Sequence, residues 1–162
     1  MSGREKTAER LSEAGFAPFG VYLRRPVRTP DDGDPFHDYW HGTAASFFQG
    51  ETLTTGYLEI RSHEPRVREM ERHPACAEVF VAVEGESVLA VADPEELAGA
   101  ADKAQALRYF RLEPGDAVLI RRGVWHKLPV PAGERAGFLM LVPDRILQDM
   151  EKAAVDAAVP HF

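Results

Sequence analysis

A single cysteine, Cys76, stands in 162 residues, so no disulfide can close within the chain. A reducing compartment is the expected setting. No apolar run nears the ~20 residues that cross a bilayer. Met1 to Glu13 is polar and charged, with no apolar stretch of leader type. The expectation is a cytoplasmic protein with no membrane partner. Basic residues are outnumbered, 19 Lys and Arg against 26 Asp and Glu, for a net charge of −7. That balance argues against a nucleic-acid partner, which calls for a basic face. It leaves room for a small anionic ligand held by locally gathered arginines. No repeat of solenoid period and no low-complexity stretch is present. The length and 44% hydrophobic content fit one domain, 1–162, with a single core.

Periodicity near two dominates the middle of the chain. Strands are expected over Gly56 to Ser62, Glu78 to Val83, Ser87 to Ala92, Ala106 to Arg111, Ala117 to Ile120, Trp125 to Val130 and Phe138 to Val142. Turns at Gly85-Glu86, Glu113-Pro114-Gly115-Asp116 and Arg122-Gly123 separate several of them. Asp93-Pro94-Glu95-Glu96 opens an alanine-rich segment as a helix would, with Pro at its first position. Glu5 to Ala14 is expected as a short helix stopped by Gly15. Arg24 to Tyr39, rich in Pro, Asp and Gly, is expected as a loop, and Arg24 to Gly42 as a candidate lid. From Asp144 a three–four spacing of Ile146, Leu147, Met150, Ala153, Ala154 and Ala157 predicts a C-terminal helix over about 144–158. Many short strands and little helix give a mainly β fold, a small barrel or sandwich. Its core spans about 53–143, behind an N-terminal extension, 1–52.

The chemistry concentrates in two segments. The first runs Glu71-Arg72-His73, then Glu78 and Gly85; the second runs Gly115, Arg121-Arg122-Gly123 and Val124-Trp125-His126. Glu78 shares a strand face with Phe80 and Ala82. If that face is the interior, a carboxylate enters an apolar cavity, which is costly unless it is ligated or paired. Glu71 and His73 lie two apart, on one side of an extended chain. His126 follows a tight turn that lets it double back. Glu71, His73, Glu78 and His126 would make a metal site or an acid/base pocket. Their mix of nitrogen and oxygen suits Mn, Fe, Ni, Co or Zn better than Ca or Mg. His37, His41, His63 and His161 read as solvated, Cys76 as a small buried filler, and Asp31 to Asp34 as a solvated turn.

The spacings His73-x4-Glu78-x6-Gly85 and Gly115-x5-Arg121-x-Gly123-x2-His126 resemble the paired motifs of the cupins. Glu71 stands where the usual first motif has a histidine, and Arg121 where the second has proline. More narrowly, Met70-Glu71-Arg72-His73-Pro74, Arg122-Gly123-Val124-Trp125-His126-Lys127-Leu128-Pro129 and Phe16-Ala17-Pro18-Phe19-Gly20 resemble the ureidoglycolate lyase family, over roughly residues 14 to 145. Two departures are Glu78, where that family often has glutamine, and Lys127, where it commonly has a second histidine.

The resemblance implies a cupin double-stranded β-helix (jelly-roll) barrel with short terminal helices. It implies cleavage of ureidoglycolate to glyoxylate and urea, in purine or allantoin breakdown, assisted by a divalent transition metal. His73, Glu78 and His126 are the implied ligands, with Glu71 as fourth ligand or base and Lys127 as a further catalytic group. Arg61, Arg72, Arg121 and Tyr57 are candidates to hold the small anionic substrate. A homodimer is expected. The departures at Glu78 and Lys127 keep two alternatives open: a metal-dependent cupin of other chemistry (a dioxygenase or an isomerase of a small acid), and a non-catalytic small-ligand-binding cupin.

Overall fold

The computed structural model describes residues 6–24, 26–42 and 45–161. Thirteen strands are assigned in it. β1 (Glu9–Arg10), β2 (Gly20–Tyr22), β3 (Asp32–Asp34) and β4 (His37–Tyr39) belong to the N-terminal extension. β5 (Leu53–Arg61), β6 (Arg66–Arg72), β7 (Glu78–Glu84) and β8 (Ser87–Ala92) form one arm of the core. β9 (Arg108–Leu112), β10 (Ala117–Ile120), β11 (Trp125–Pro131) and β12 (Arg135–Pro143) form the other, and β13 (Glu151–Ala158) closes the chain. Two short helices, α1 (Glu13–Phe16) and α2 (Pro94–Gly99), carry side-chain caps from Ser12 and Asp93.

The two arms pair antiparallel all along their length: β5 with β12, β6 with β11, β7 with β10, β8 with β9. The chain thus makes one long double ribbon, folded at the β8–β9 connection that carries α2. Rolling that ribbon sends successive strands to two facing sheets. One sheet runs β1-β9-β8-β11-β6-β13, the other β2-β10-β7-β12-β5. This is the double-stranded β-helix expected from the motifs, and its two sheets stay open at their edges. Phe80, Ala82, Leu89, Val91, Phe110, Ile120 and Phe138 pack between the sheets. On the outer face of the larger sheet a second cluster packs Met70, Ala90, Tyr109 and Trp125 beneath Leu97 of α2. β7 explains how a carboxylate enters the core. Its alternation turns Glu78, Phe80 and Ala82 inward and leaves Val83 exposed.

The C-terminal helix is not formed. Residues 144–149 are turns, and Glu151–Ala158 is β13, antiparallel to β6. Val155, Ala157 and Val159 also repeat every two residues, and they join the outer cluster. The free edge of β6 supplies the hydrogen-bond ladder, and that pairing overrides alanine's helical propensity. The helix expected over Glu5 to Ala14 is not formed over residues 6–12: α1 starts at Glu13, behind the Ser12 cap, and runs through Gly15, the expected stop, to Phe16. Before it, Glu9 and Arg10 pair with β9, and Lys6 donates to the carbonyls of Gln105 and Leu107. Arg24 to Tyr39 contains the small hairpin β3–β4, held by an Arg28–Asp31 pair. Glu5, Arg25, Thr43 and Ala44, which fall within expected segments, lie outside the described residues.

Candidate metal centre and active site

Four side chains from distant stretches meet at one end of the sandwich, where β6 passes to β7 and β10 to β11. Glu71 lies near the end of β6, and His126, second in β11, is its register partner. Glu78 is the first residue of β7, and His73 follows β6. Gly123 sits with φ +78°, a backbone turn that β-carbon sterics disfavour, and its N–H donates to the carbonyl of His73. That bond ties the turn before β11 to the turn after β6, and so brings the two imidazoles together. Their ring centroids are 5.5 Å apart.

His126 Nε2 lies 2.6 Å from Glu78 Oε1 and 3.8 Å from Glu71 Oε1. His73 Nε2 lies 4.0 Å from Glu78 Oε1. Glu71, His73 and His126 each offer a donor atom, all within 4.8 Å of one another. His73, Glu78 and His126 are buried, and Glu71 is the most open of the set, its side chain 21% exposed.

Each imidazole has its Nδ1 against a carbonyl oxygen, His73 with Asp149 at 2.6 Å and His126 with Val124 at 3.1 Å. A carbonyl only accepts, so each Nδ1 carries the hydrogen and donates it. In the neutral ring the lone pair then sits on Nε2, which is the nitrogen that faces the carboxylates. With its hydrogen on Nδ1, neutral His126 offers Glu78 Oε1 no donor across the 2.6 Å gap, and both facing atoms are buried without a hydrogen-bond partner. Two lone pairs and two carboxylates converging on one point, with buried atoms orphaned there, fit a cation. The N/O donor set suits a divalent transition metal. Burial pulls the His126 pKa down, but the charge and contact of Glu78, the Val124 carbonyl and Glu71 outweigh it, and the net shift is upward.

Arg72, Lys127, Arg61 and Tyr57 lie away from this centre. Period-two alternation from the inward Glu71 and His126 turns Arg72 and Lys127 to the opposite face of the sheet. There Arg72 pairs with Glu151 and stacks over Trp125 at 4.7 Å, and Lys127 is in register with outward-facing Ala90. Arg61 pairs with Glu59 and is in register with Arg135 at the far end of β5, about 20 Å along the sheet from Glu78 by strand rise. Tyr57 is 58% exposed on the outer face of its sheet. Arg121 is exposed at the rim of the centre, directly after Ile120, the register partner of Glu78.

Arg122 and Arg145 also lie beside the centre. Arg122 precedes Gly123 and donates to the Phe47 carbonyl. Arg145 donates to the Ala75 carbonyl and grips Glu51 with two bonds. The sequence reading missed Arg145, Asp149 and Glu51. Arg145 and Asp149 sat in a segment read as helix, and Glu51 in the N-terminal extension, 1–52. No local pattern marks any of the three.

Residues 4–160 match the family model described as ureidoglycolate lyase. The chain belongs to the ureidoglycolate lyase family. A curated ureidoglycolate lyase of Chelativorans sp. (strain BNC1) is 26% identical over 145 residues, covering 85% of this chain and 84% of that one. Among solved structures, the oxalate decarboxylase of Lactobacillus farciminis in its formate complex has a TM-score of 0.44 at 20% identity, over 64% of this chain. The match covers only 27% of that decarboxylase. A cupin 2 domain-containing protein of Halorhodospira halophila has a TM-score of 0.42 at 24% identity, over 62% of this chain and 58% of its own. Likenesses at that level carry no chemistry across, so the site must be argued from its own atoms.

Proposed function

We propose that this protein cleaves ureidoglycolate into glyoxylate and urea, a step of purine and allantoin breakdown, at the centre formed by Glu71, His73, Glu78 and His126. Family membership supports the activity, and the convergence of two imidazole Nε2 atoms on buried Glu78 supports the place. In this reading His73, Glu78 and His126 hold a divalent transition ion (Mn, Fe, Co, Ni or Zn), with Glu71 as fourth ligand or as base. When bound, the ion supplies a Lewis acid for the substrate's carboxylate and hydroxyl.

The reaction is an elimination from a hemiaminal. The hydroxyl loses its proton, the O–H electrons form the new carbonyl, and the carbon–nitrogen bond breaks. Its electrons pass to the urea nitrogen, which takes up a proton. Glu71 is the accessible carboxylate of the set, so it can take the hydroxyl proton and return it to the departing nitrogen. One group then closes the proton balance without Lys127. Arg122, next to the Gly123–His73 contact and 45% exposed at its side chain, is placed to hold the substrate carboxylate at the mouth.

A cytoplasmic setting fits the unpaired, buried Cys76, and the net charge of −7 gives no support to a nucleic-acid partner. Among the described residues no helix is long and apolar enough to cross a membrane. A homodimer fits the outer face of the smaller sheet, where Tyr57, Val83 and Leu139 are all exposed beside the edge strand β5. The deciding experiment is release of urea and glyoxylate from ureidoglycolate by purified, metal-loaded protein. Turnover no faster than metal alone would end the proposal.

A further inference from the structure

Asp149 ends the turn that follows β12 and takes no part in the chemistry above. Its backbone carbonyl accepts the Nδ1 hydrogen of His73 at 2.6 Å. Its carboxylate accepts the N–H of Ala75 at 2.8 Å, and also hydrogen bonds from the backbone and thiol of Cys76. Arg145 of the same turn donates to the Ala75 carbonyl at 3.2 Å and is anchored by Glu51. The turn is therefore fastened to His73, Ala75 and Cys76. Any residue at this position would bring a carbonyl; only an acceptor side chain of this length fastens that carbonyl to the segment whose histidine it orients.

We infer that Asp149 is the positioning residue of the centre: its carboxylate locks the turn onto Ala75 and Cys76, so that its carbonyl fixes the His73 tautomer and aims Nε2 at Glu78. Outer groups of this kind set the basicity and aim of a metal-binding histidine, and their loss typically weakens metal binding about 10–100-fold. The inference rests on the proposed metal-holding role of His73 only for its effect on metal affinity. The tautomer effect stands apart from it.

The test compares the full-length protein with Asp149→Ala, Asp149→Asn and, as a destabilised control away from the site, Val155→Ala on β13. Two quantities are measured: the ring 15N shifts of His73 in metal-free protein, and cobalt(II) affinity by chelator competition with the visible spectrum of the bound ion. Asp149→Ala is expected to convert His73 from a single Nδ1–H tautomer to a mixture. It should weaken cobalt binding about 10–100-fold and alter the spectrum. Asp149→Asn, which keeps an oxygen for the Ala75 N–H, should stay near wild type on both readings, as should Val155→Ala. A wild-type tautomer and cobalt affinity in Asp149→Ala would overturn the inference; so would an equal cobalt loss in Val155→Ala. If the wild type takes up no cobalt while Asp149→Ala still scrambles the tautomer, positioning holds and the metal reading falls. Should Asp149→Ala not fold, Arg145→Ala, which loosens the same turn from its other side, is decided by the same two readings.

Discussion

Replacing Glu78 by glutamine should change the stability of the metal-free protein in opposite directions at low and high pH. Glu78 Oε1 sits 2.6 Å from His126 Nε2, with both atoms buried. Burial lowers the His126 pKa, Glu78 and its other neighbours raise it more, and the folded value ends above the ordinary one. A group raised in this way adds stability below its unfolded pKa and loses it as pH climbs through the folded pKa. On the acid side, then, His126 is an imidazolium facing Glu78, and Glu78→Gln removes its counter-charge and destabilises. On the alkaline side a lone pair faces a carboxylate, each without a partner. The glutamine NH2 can donate to Nε2 there, so the same substitution stabilises. An unsatisfied buried polar group costs about 1–3 kcal/mol. At about 2–4 °C per kcal/mol for a chain of this size, the expected gain in Tm is about 2–12 °C. Thermal unfolding of chelator-treated protein from about pH 5.5 to 9, spanning imidazole titration, measures it. A Glu78→Gln effect of one sign across that range would refute the geometry of the pair.

Other consequences concern metal, catalysis and packing. A divalent transition metal at a hundred times its Kd should stabilise the protein by about 2.7 kcal/mol, and His73→Ala or His126→Ala should abolish most of that shift in the same melt. Glu71→Ala should reduce turnover by about 10²–10⁴-fold, while Lys127→Ala, on the opposite sheet face, should leave kcat near wild type; the reverse ranking would restore Lys127 as a catalytic group. Phe138→Ala, fully buried between the sheets, should cost about 3–5 kcal/mol in chemical denaturation with little change in kcat per folded molecule. Leu139→Glu should raise the monomer fraction in sedimentation if the outer face of the smaller sheet joins two copies.

The core of this fold is legible because its strands carry their own signal. β8 and β10 have the predicted bounds, and Asp93-Pro94 opens α2 as its capping chemistry dictates. The inward face of β7 follows from Glu78, Phe80 and Ala82 alone. β6 is not legible: five of its seven residues are charged, and its two apolar ones, Val67 and Met70, lie three apart. That strand exists because β11 and β13 offer it partners. β13 was hidden for the opposite reason, since its alanines satisfy a helical and an alternating pattern equally, and only the edge of β6 decides between them. In the centre, the convergent imidazoles and carboxylates show because motif spacing marks them. Asp149 and Arg145 do not, because their partners lie about seventy residues earlier and nothing in their own segment records that contact. Arg72 and Lys127 show the limit of proximity in sequence: a residue beside a site residue on a strand faces the other way.

The most direct measurement is an anomalous-scattering map from crystals grown with manganese, cobalt or zinc, recorded at that metal's absorption edge. The account predicts one strong peak within bonding distance of His73 Nε2, His126 Nε2 and a Glu78 oxygen, with Glu71 beside it. A metal-saturated crystal with no peak there, or with the two imidazoles turned away from each other, would contradict it.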